Sequence, residues 1–142
     1  MMTYISGIPS KDIDKVWHIC SPFIELAAEK GREEMTPQNI YEFCKEAKMQ
    51  LWVIYNERAD IVAAITTEII EYPAKKVCRI VTLGGSGIDA WLDYISVIES
   101  WAVEKECKAI ETFCRKGFIK KLENYGYEQT YVVLGKELSS VH

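Results

Sequence analysis

Histidine is nearly absent: the chain has two in 142 residues. The internal one, His18, falls in a helical pattern with no nucleophile beside it, which argues against a catalytic cysteine. The five cysteines (Cys20, Cys44, Cys78, Cys107 and Cys114) are odd in number and contain no C-x-x-C pair. Neither a disulfide framework nor a metal site is expected from that spacing, and reduced thiols suit a cytoplasmic setting. Long apolar runs are missing too. Ile61 to Ile65 is far too short to span a bilayer, so no membrane partner is expected. The start, Met1-Met2-Thr3-Tyr4, shows no basic region followed by an apolar stretch, so no secretory signal is expected. Nor is there an excess of positive charge. The formal net charge of -4 argues against a nucleic-acid surface, which needs clustered Lys and Arg. Arg115, Lys116, Lys120 and Lys121 are a local exception, either a phosphate patch or, more commonly, a solvated helix face. No repeat, linker or low-complexity tract breaks the chain. A 49% hydrophobic and 27% charged composition is ordinary for a globular protein. The length suits one domain, residues 1–142, with a substantial core.

Thr3 to Ile8 reads as a short strand. Ser10 then caps a helix to about Cys20, with Ile13, Val16 and Trp17 on one face. Ser21-Pro22 reads as a restart, Ser as N-cap and Pro at the first helical position, with an end near Gly31. Thr36-Pro37 repeats the signal, and Ile40, Phe43, Cys44 and Ala47 succeed it at helical spacing. From Met49 the pattern changes. Leu51–Tyr55, Ile61–Tyr72 and Val77–Leu83 are apolar runs separated by polar turns at 56–60 and 73–76. They predict three consecutive antiparallel strands within 49–83. A helix is expected over 87–105, with an apolar stripe at Trp91, Ile95, Ile98 and Ala102 and a capping box from Ser86 to Asp89. Lys108–Cys114 predicts a strand and Phe118–Asn124 a short helix ended by Gly126. Glu128–Leu138 predicts one or two closing strands. The order makes an α/β (α+β) fold. The tryptophans Trp17, Trp52, Trp91 and Trp101, with Met35 and Met49, read as core rather than as ligand-stacking groups.

Residues 83–88 are the most informative stretch for chemistry. Gly84, Gly85 and Gly87 allow a sharp turn with free backbone N–H groups, and the helix start after them adds partial positive charge. Such a turn is either an anion site able to hold a pyrophosphate or a flexible strand-to-helix connection.

The whole order, with Gly84-Gly85-Ser86-Gly87 between strand and helix and the ending Gly117 to Glu128, resembles the GNAT superfamily of acetyl-coenzyme A-dependent N-acetyltransferases. The stretch includes the Gly126-Tyr127 pair, and the Lys136-Glu137-Leu138 finish is also similar. Small phage and prophage GNAT-like proteins are the look-alikes. The resemblance covers essentially the whole chain. It implies a mixed sheet in which an antiparallel meander is succeeded by strand, helix, strand, helix and strand. It also implies acetyl-CoA held by Leu83, Gly84, Gly85, Ser86 and Gly87. The departures are specific. The family's Arg or Gln before the glycines falls on Thr82, its general-acid Tyr falls on Leu122, and the Asn before that Tyr falls on Arg115. Tyr125 and Tyr127 lie close to the expected tyrosine but offset.

Acetyl transfer to an amine needs a base for the ammonium proton and donors for the thioester oxygen. In the family a Glu on a central strand often serves as base. Glu68, Glu71 and Glu111 are the candidates, and Glu68 and Glu71 face opposite sides by parity. Tyr125 is the candidate acid. The resemblance implies acetyl transfer to a small-molecule or protein amine in the cytoplasm. The alternative is a non-catalytic protein of the same fold, acting through a protein partner or as a virion component. Fold alone does not decide between them.

Overall fold

Among the residues described in the computed structural model, five strands form one sheet in the order β1-β2-β3-β4-β5. The structure describes residues 2–30, 35–85, 92–114 and 116–139. β1 (Thr3–Ile8), β2 (Met49–Asn56), β3 (Ile61–Glu71) and β4 (Lys76–Gly85) pair antiparallel with their neighbours, and β5 (Ala109–Thr112) pairs parallel with β4. The meander expected within 49–83 is present. Its strands are apolar at nearly every position because both faces of the sheet are covered. On one face Trp52, Ile54, Ile65, Cys78 and Ile80 meet Ile95, Ile98 and Ala102 of α3 (Ile95–Glu104) and Leu122 of α4 (Lys116–Glu123). On the other, Met49, Leu51, Val53 and Ala64 meet Ile13, Cys20 and Ile24 of α1 (Ile13–Lys30) and Ile40 and Cys44 of α2 (Pro37–Lys45). Trp52 is buried and stands edge-on to Trp101 at 5.3 Å, so these tryptophans are core. Trp91 and the 86–89 capping box lie outside the described residues.

The helix ends obey local chemistry, with two corrections. Thr36 caps α2 reciprocally: Asn39 N–H donates to Thr36 Oγ1 (3.1 Å) and Thr36 N–H to Asn39 Oδ1 (2.9 Å). Gly126, at φ +88°, closes α4. Tyr127 N–H reaches Leu122 O and Gly126 N–H reaches Glu123 O, the two bonds of a left-handed helix stop. Ser10, however, does not cap α1. It opens a 3-10 turn (Ser10–Asp12) preceded by Pro9, with no side-chain cap bond. Ser21-Pro22 does not restart the helix either, and α1 runs through it. Pro22 is exposed, while Cys20 and Ile24 on either side are sealed into the core. That packing outweighs the one backbone bond a mid-helix proline forfeits.

The expected closing strand is the largest difference. Residues 128–139 carry no regular structure, and Tyr131, Val132, Leu134 and Leu138 are 70–93% exposed. Alternation and β-branched content favour a strand there, but a strand forms only against a partner edge, and among the described residues none pairs with this segment.

Candidate functional site

β4 and β5 run parallel for four residue pairs, from Val77–Ala109 to Ile80–Thr112, and then part. β4 continues to Gly85 while still paired with β3, and past the end of the β5 pairing its Val81 and Thr82 line an opening. Thr112 Oγ1 donates to Ile80 O at 3.2 Å and closes the last rung before the split. At the same point β4 carries one extra residue. Thr82 pairs with Thr66 and Ile80 with Thr67, leaving Val81 as a bulge. The opening lies beyond the C-terminal end of β5, where its parallel pairing with β4 stops; open α/β sheets bind their ligands past the carboxyl ends of their strands. It belongs to a groove of about 1370 Å³ lined by Val81, Thr82, Glu68, Arg79, Glu111 and the 125–135 segment, among others.

Arg79 organises the charges there. Its Nη2 and Nε donate to Glu111 Oε1 at 2.9 and 3.2 Å, its Nη2 reaches the Tyr72 hydroxyl at 3.3 Å, and its guanidinium lies 4.6 Å from the Phe113 ring centre. Glu68 is held more loosely, with its Oε1 3.7 Å from Arg79 Nη1. Burial pushes the Glu68 carboxyl above the ordinary carboxylate range, and the Arg79 charge offsets part of that rise. The two expected carboxylates, Glu68 and Glu111, are thus brought together on one arginine. Glu71 is separate: it is exposed at the end of β3, beside Lys76.

Tyr125 lines the same groove. Its hydroxyl donates to Asp93 Oδ1 at 2.9 Å, beside the start of α3. Tyr127 donates to Glu99 at 2.8 Å, and burial together with that carboxylate pushes its phenol far up. Leu122, at the position of the missing tyrosine, is a buried core residue. Of the expected phosphate turn, Leu83, Gly84 and Gly85 belong to β4 rather than to a loop, and Ser86 and Gly87 lie outside the described residues. Packing explains both strand glycines. A Cβ on Gly84 would sit 2.3 Å from Phe23 O in α1, and one on Gly85 would sit 2.4 Å from the Ala63 side chain. Among the basic residues, Lys120 is exposed and Arg115 lies outside the described residues.

Sequence reasoning missed Arg79, the Val81 bulge and the buried Thr66–Thr82 pair. Arg79 did leave a signal, a lone cation inside the apolar run Val77-Cys78-Arg79-Ile80-Val81. A half-buried cation needs an anionic partner. The bulge left none, because it is defined only by the register with β3. Among the described residues no helix is long and apolar enough to cross a membrane, and no three His, Cys, Asp or Glu residues group as metal ligands.

The chain matches no protein-family model and no curated protein. Solved structures do match it. An aminoglycoside acetyltransferase from an uncultured soil metagenomic sample, in complex with sisomicin, superposes with a TM-score of 0.68 at 15% identity, over 96% of this chain and 97% of that one. Glucosamine-6-phosphate N-acetyltransferase from Arabidopsis thaliana gives 0.68 at 13%, over 98% and 100%. A predicted acetyltransferase from Clostridium acetobutylicum, solved with acetyl-CoA, gives 0.70 at 15%, over 96% and 96%. The fold is that of the GNAT acetyltransferases.

Proposed function

We propose that this chain is an N-acetyltransferase that moves an acetyl group from acetyl-CoA to the nitrogen of a small-molecule or protein amine. The observation that carries this reading is the parting of β4 from β5 at the Val81 bulge, beside a carboxylate whose burial makes it a stronger base. The groove is large enough for a long thioester and a second substrate together. Past its pairing with β5, β4 offers backbone donors at Val81 and Thr82 to the thioester arm. Leu83, Gly84 and Gly85, with Ser86 and Gly87 next in the chain, are the residues to hold its pyrophosphate.

Glu68 takes the base role. An amine reaches the site as ammonium, and Glu68 accepts one proton from it. The freed nitrogen pair attacks the carbonyl carbon, and the C–O π pair moves onto oxygen. When that pair returns, the C–S bond breaks and the thiolate leaves with its electrons, to be protonated by solvent. The amide nitrogen gives its surplus proton to solvent, as Glu68 does to reset. A carboxylate with a raised pKa holds a proton more readily at neutral pH, which favours its accepting one. Glu111 takes the hydrogen bonds of Arg79 and so fixes the guanidinium beside Glu68.

The test is a melting curve with acetyl-CoA, followed by thiol release against a panel of primary amines. Acetyl-CoA at millimolar concentration should raise the melting temperature, since it binds only the folded chain. Glu68→Gln should keep that rise and lose about 10²- to 10⁴-fold in amine-dependent turnover. A wild-type melting curve unmoved by acetyl-CoA would reject the reading.

A further inference from the structure

Thr66 of β3 and Thr82 of β4 face each other across the sheet with their Oγ atoms 2.6 Å apart. They are 0% and 8% exposed. Among the described residues neither hydroxyl bonds to anything else. Two hydroxyls carry two protons, and the bond between them uses one. Burial decides which proton stays free. Were Thr82 the donor, the Thr66 proton would be sealed in the sheet with no acceptor, a costly arrangement. With Thr66 donating, the sealed group is satisfied and the Thr82 proton is left over. Thr82 is the member of the pair that lines the groove, and Thr66 does not line it. It also sits beside the Val81 bulge, on the first rung past the end of the β4–β5 pairing.

Glu68 lies on the same face of β3 as Thr66, two residues on, so it is the diagonal cross-strand neighbour of Thr82, about 7 to 8 Å away. A base and a hydroxyl donor at that separation can flank one tetrahedral carbon, each about 3 Å from the atom it serves. We infer that the Thr82 hydroxyl donates a hydrogen bond to the acyl carbonyl oxygen, and that Thr66 is its positioning residue. The inference rests on the acyl-transfer reading and deepens it. Thr82 is the catalytic donor on the oxygen side of the carbon, and Glu68 the base on the nitrogen side. No covalent bond to Thr82 forms. Its proton stays on Oγ1 while negative charge builds on the carbonyl oxygen and then leaves with the thiolate.

The test uses acetyl-CoA labelled with ¹³C at the carbonyl, bound to the full chain, with infrared spectroscopy of the C=O stretch. In the wild type the bound band should lie below that of the free thioester. Thr82→Val, of nearly the same shape, should return it toward the free value, and Thr82→Ser should keep the lowered band. Thr66→Val should give an intermediate band, because Thr82 keeps its proton but loses its orientation. Amine-dependent thiol release should fall about tenfold to a hundredfold in Thr82→Val, with acetyl-CoA affinity changed by less than about threefold. Melting curves check that each variant folds, and Thr82→Ala replaces Thr82→Val if that one does not. A Thr82→Val or Thr82→Ala protein that binds acetyl-CoA with the wild-type band overturns the inference while leaving acyl transfer standing. Failure of the wild type to bind acetyl-CoA removes both.

Discussion

Replacing Arg79 by methionine removes the one cation that Glu68 and Glu111 share while keeping most of the apolar stem. At an effective dielectric of about 20, the contact to Glu111 at 2.9 Å corresponds to a gross attraction on the order of 6 kcal/mol, and the looser one to Glu68 at 3.7 Å to about 4 to 5. Most of this is offset by the desolvation of the three groups. Their side chains are 23–31% exposed, between a surface pair and a buried one, so a net loss of about 1 to 3 kcal/mol is expected at neutral pH. The pH dependence carries the diagnosis. The Glu68 carboxyl is already raised above its ordinary value of 4.5 by burial and is lowered by Arg79, so the variant raises it further. A carboxyl with a raised folded pKa contributes stability at pH below its unfolded value and loses it as pH rises through the folded value. The deficit of Arg79→Met should therefore be largest at neutral pH and shrink on acidification toward the ordinary carboxylate range. Urea denaturation at pH 7.5 and pH 5 measures it. Adding Glu68→Gln to Arg79→Met should recover stability, whereas the same change in the wild type should not. A deficit equal at both pH values, or a Glu68→Gln effect identical in both backgrounds, would refute the shared-cation account.

Packing sets two further outcomes. Gly84→Ala places a methyl 2.3 Å from Phe23 O, so α1 has to move off β4. A loss of roughly 1 to 3 kcal/mol in urea is expected, whereas Gly117→Ala, with nothing within 4 Å, should leave stability unchanged or slightly raised. Cys20, Cys44 and Cys78 are buried, and burial pushes their thiols up to about 11, 12 and 12. A thiol-reactive disulfide reagent at pH 8 should therefore label the exposed Cys114 first and these three only on unfolding, as read by mass spectrometry of digested protein.

Much of the fold is legible because its signals are local. Thr36-Pro37 starts α2 through bonds to its own next turn, and Gly126 ends α4 because a left-handed residue is needed there. The runs at 51–55 and 61–72 are too apolar for anything but a doubly covered sheet. Where local chemistry competes with packing, the reading slips. Pro22 carries a start signal, yet the burial of Cys20 and Ile24 keeps one helix running past it. The 128–138 segment has strand composition, yet among the described residues no edge pairs with it. The site is legible in part, since Glu68 and Glu111 stand out as carboxylates within apolar strands. Tyr125 stands out only for its nearness to a motif; it lines the groove, with its hydroxyl bonded to Asp93.

By itself the sequence determined the features that composition and period control: the strands between Thr3 and Thr112, the antiparallel meander among them, two apolar faces, and few groups able to do chemistry. Tertiary structure alone decided which of those groups meet. The Val81 bulge, the end of β4–β5 pairing at Thr112, the Thr66–Thr82 contact and the sharing of Arg79 by two carboxylates are all matters of register between strands. Register is set by how side chains from distant segments pack, and a one-residue slip would turn Glu68 and Thr82 to the opposite face.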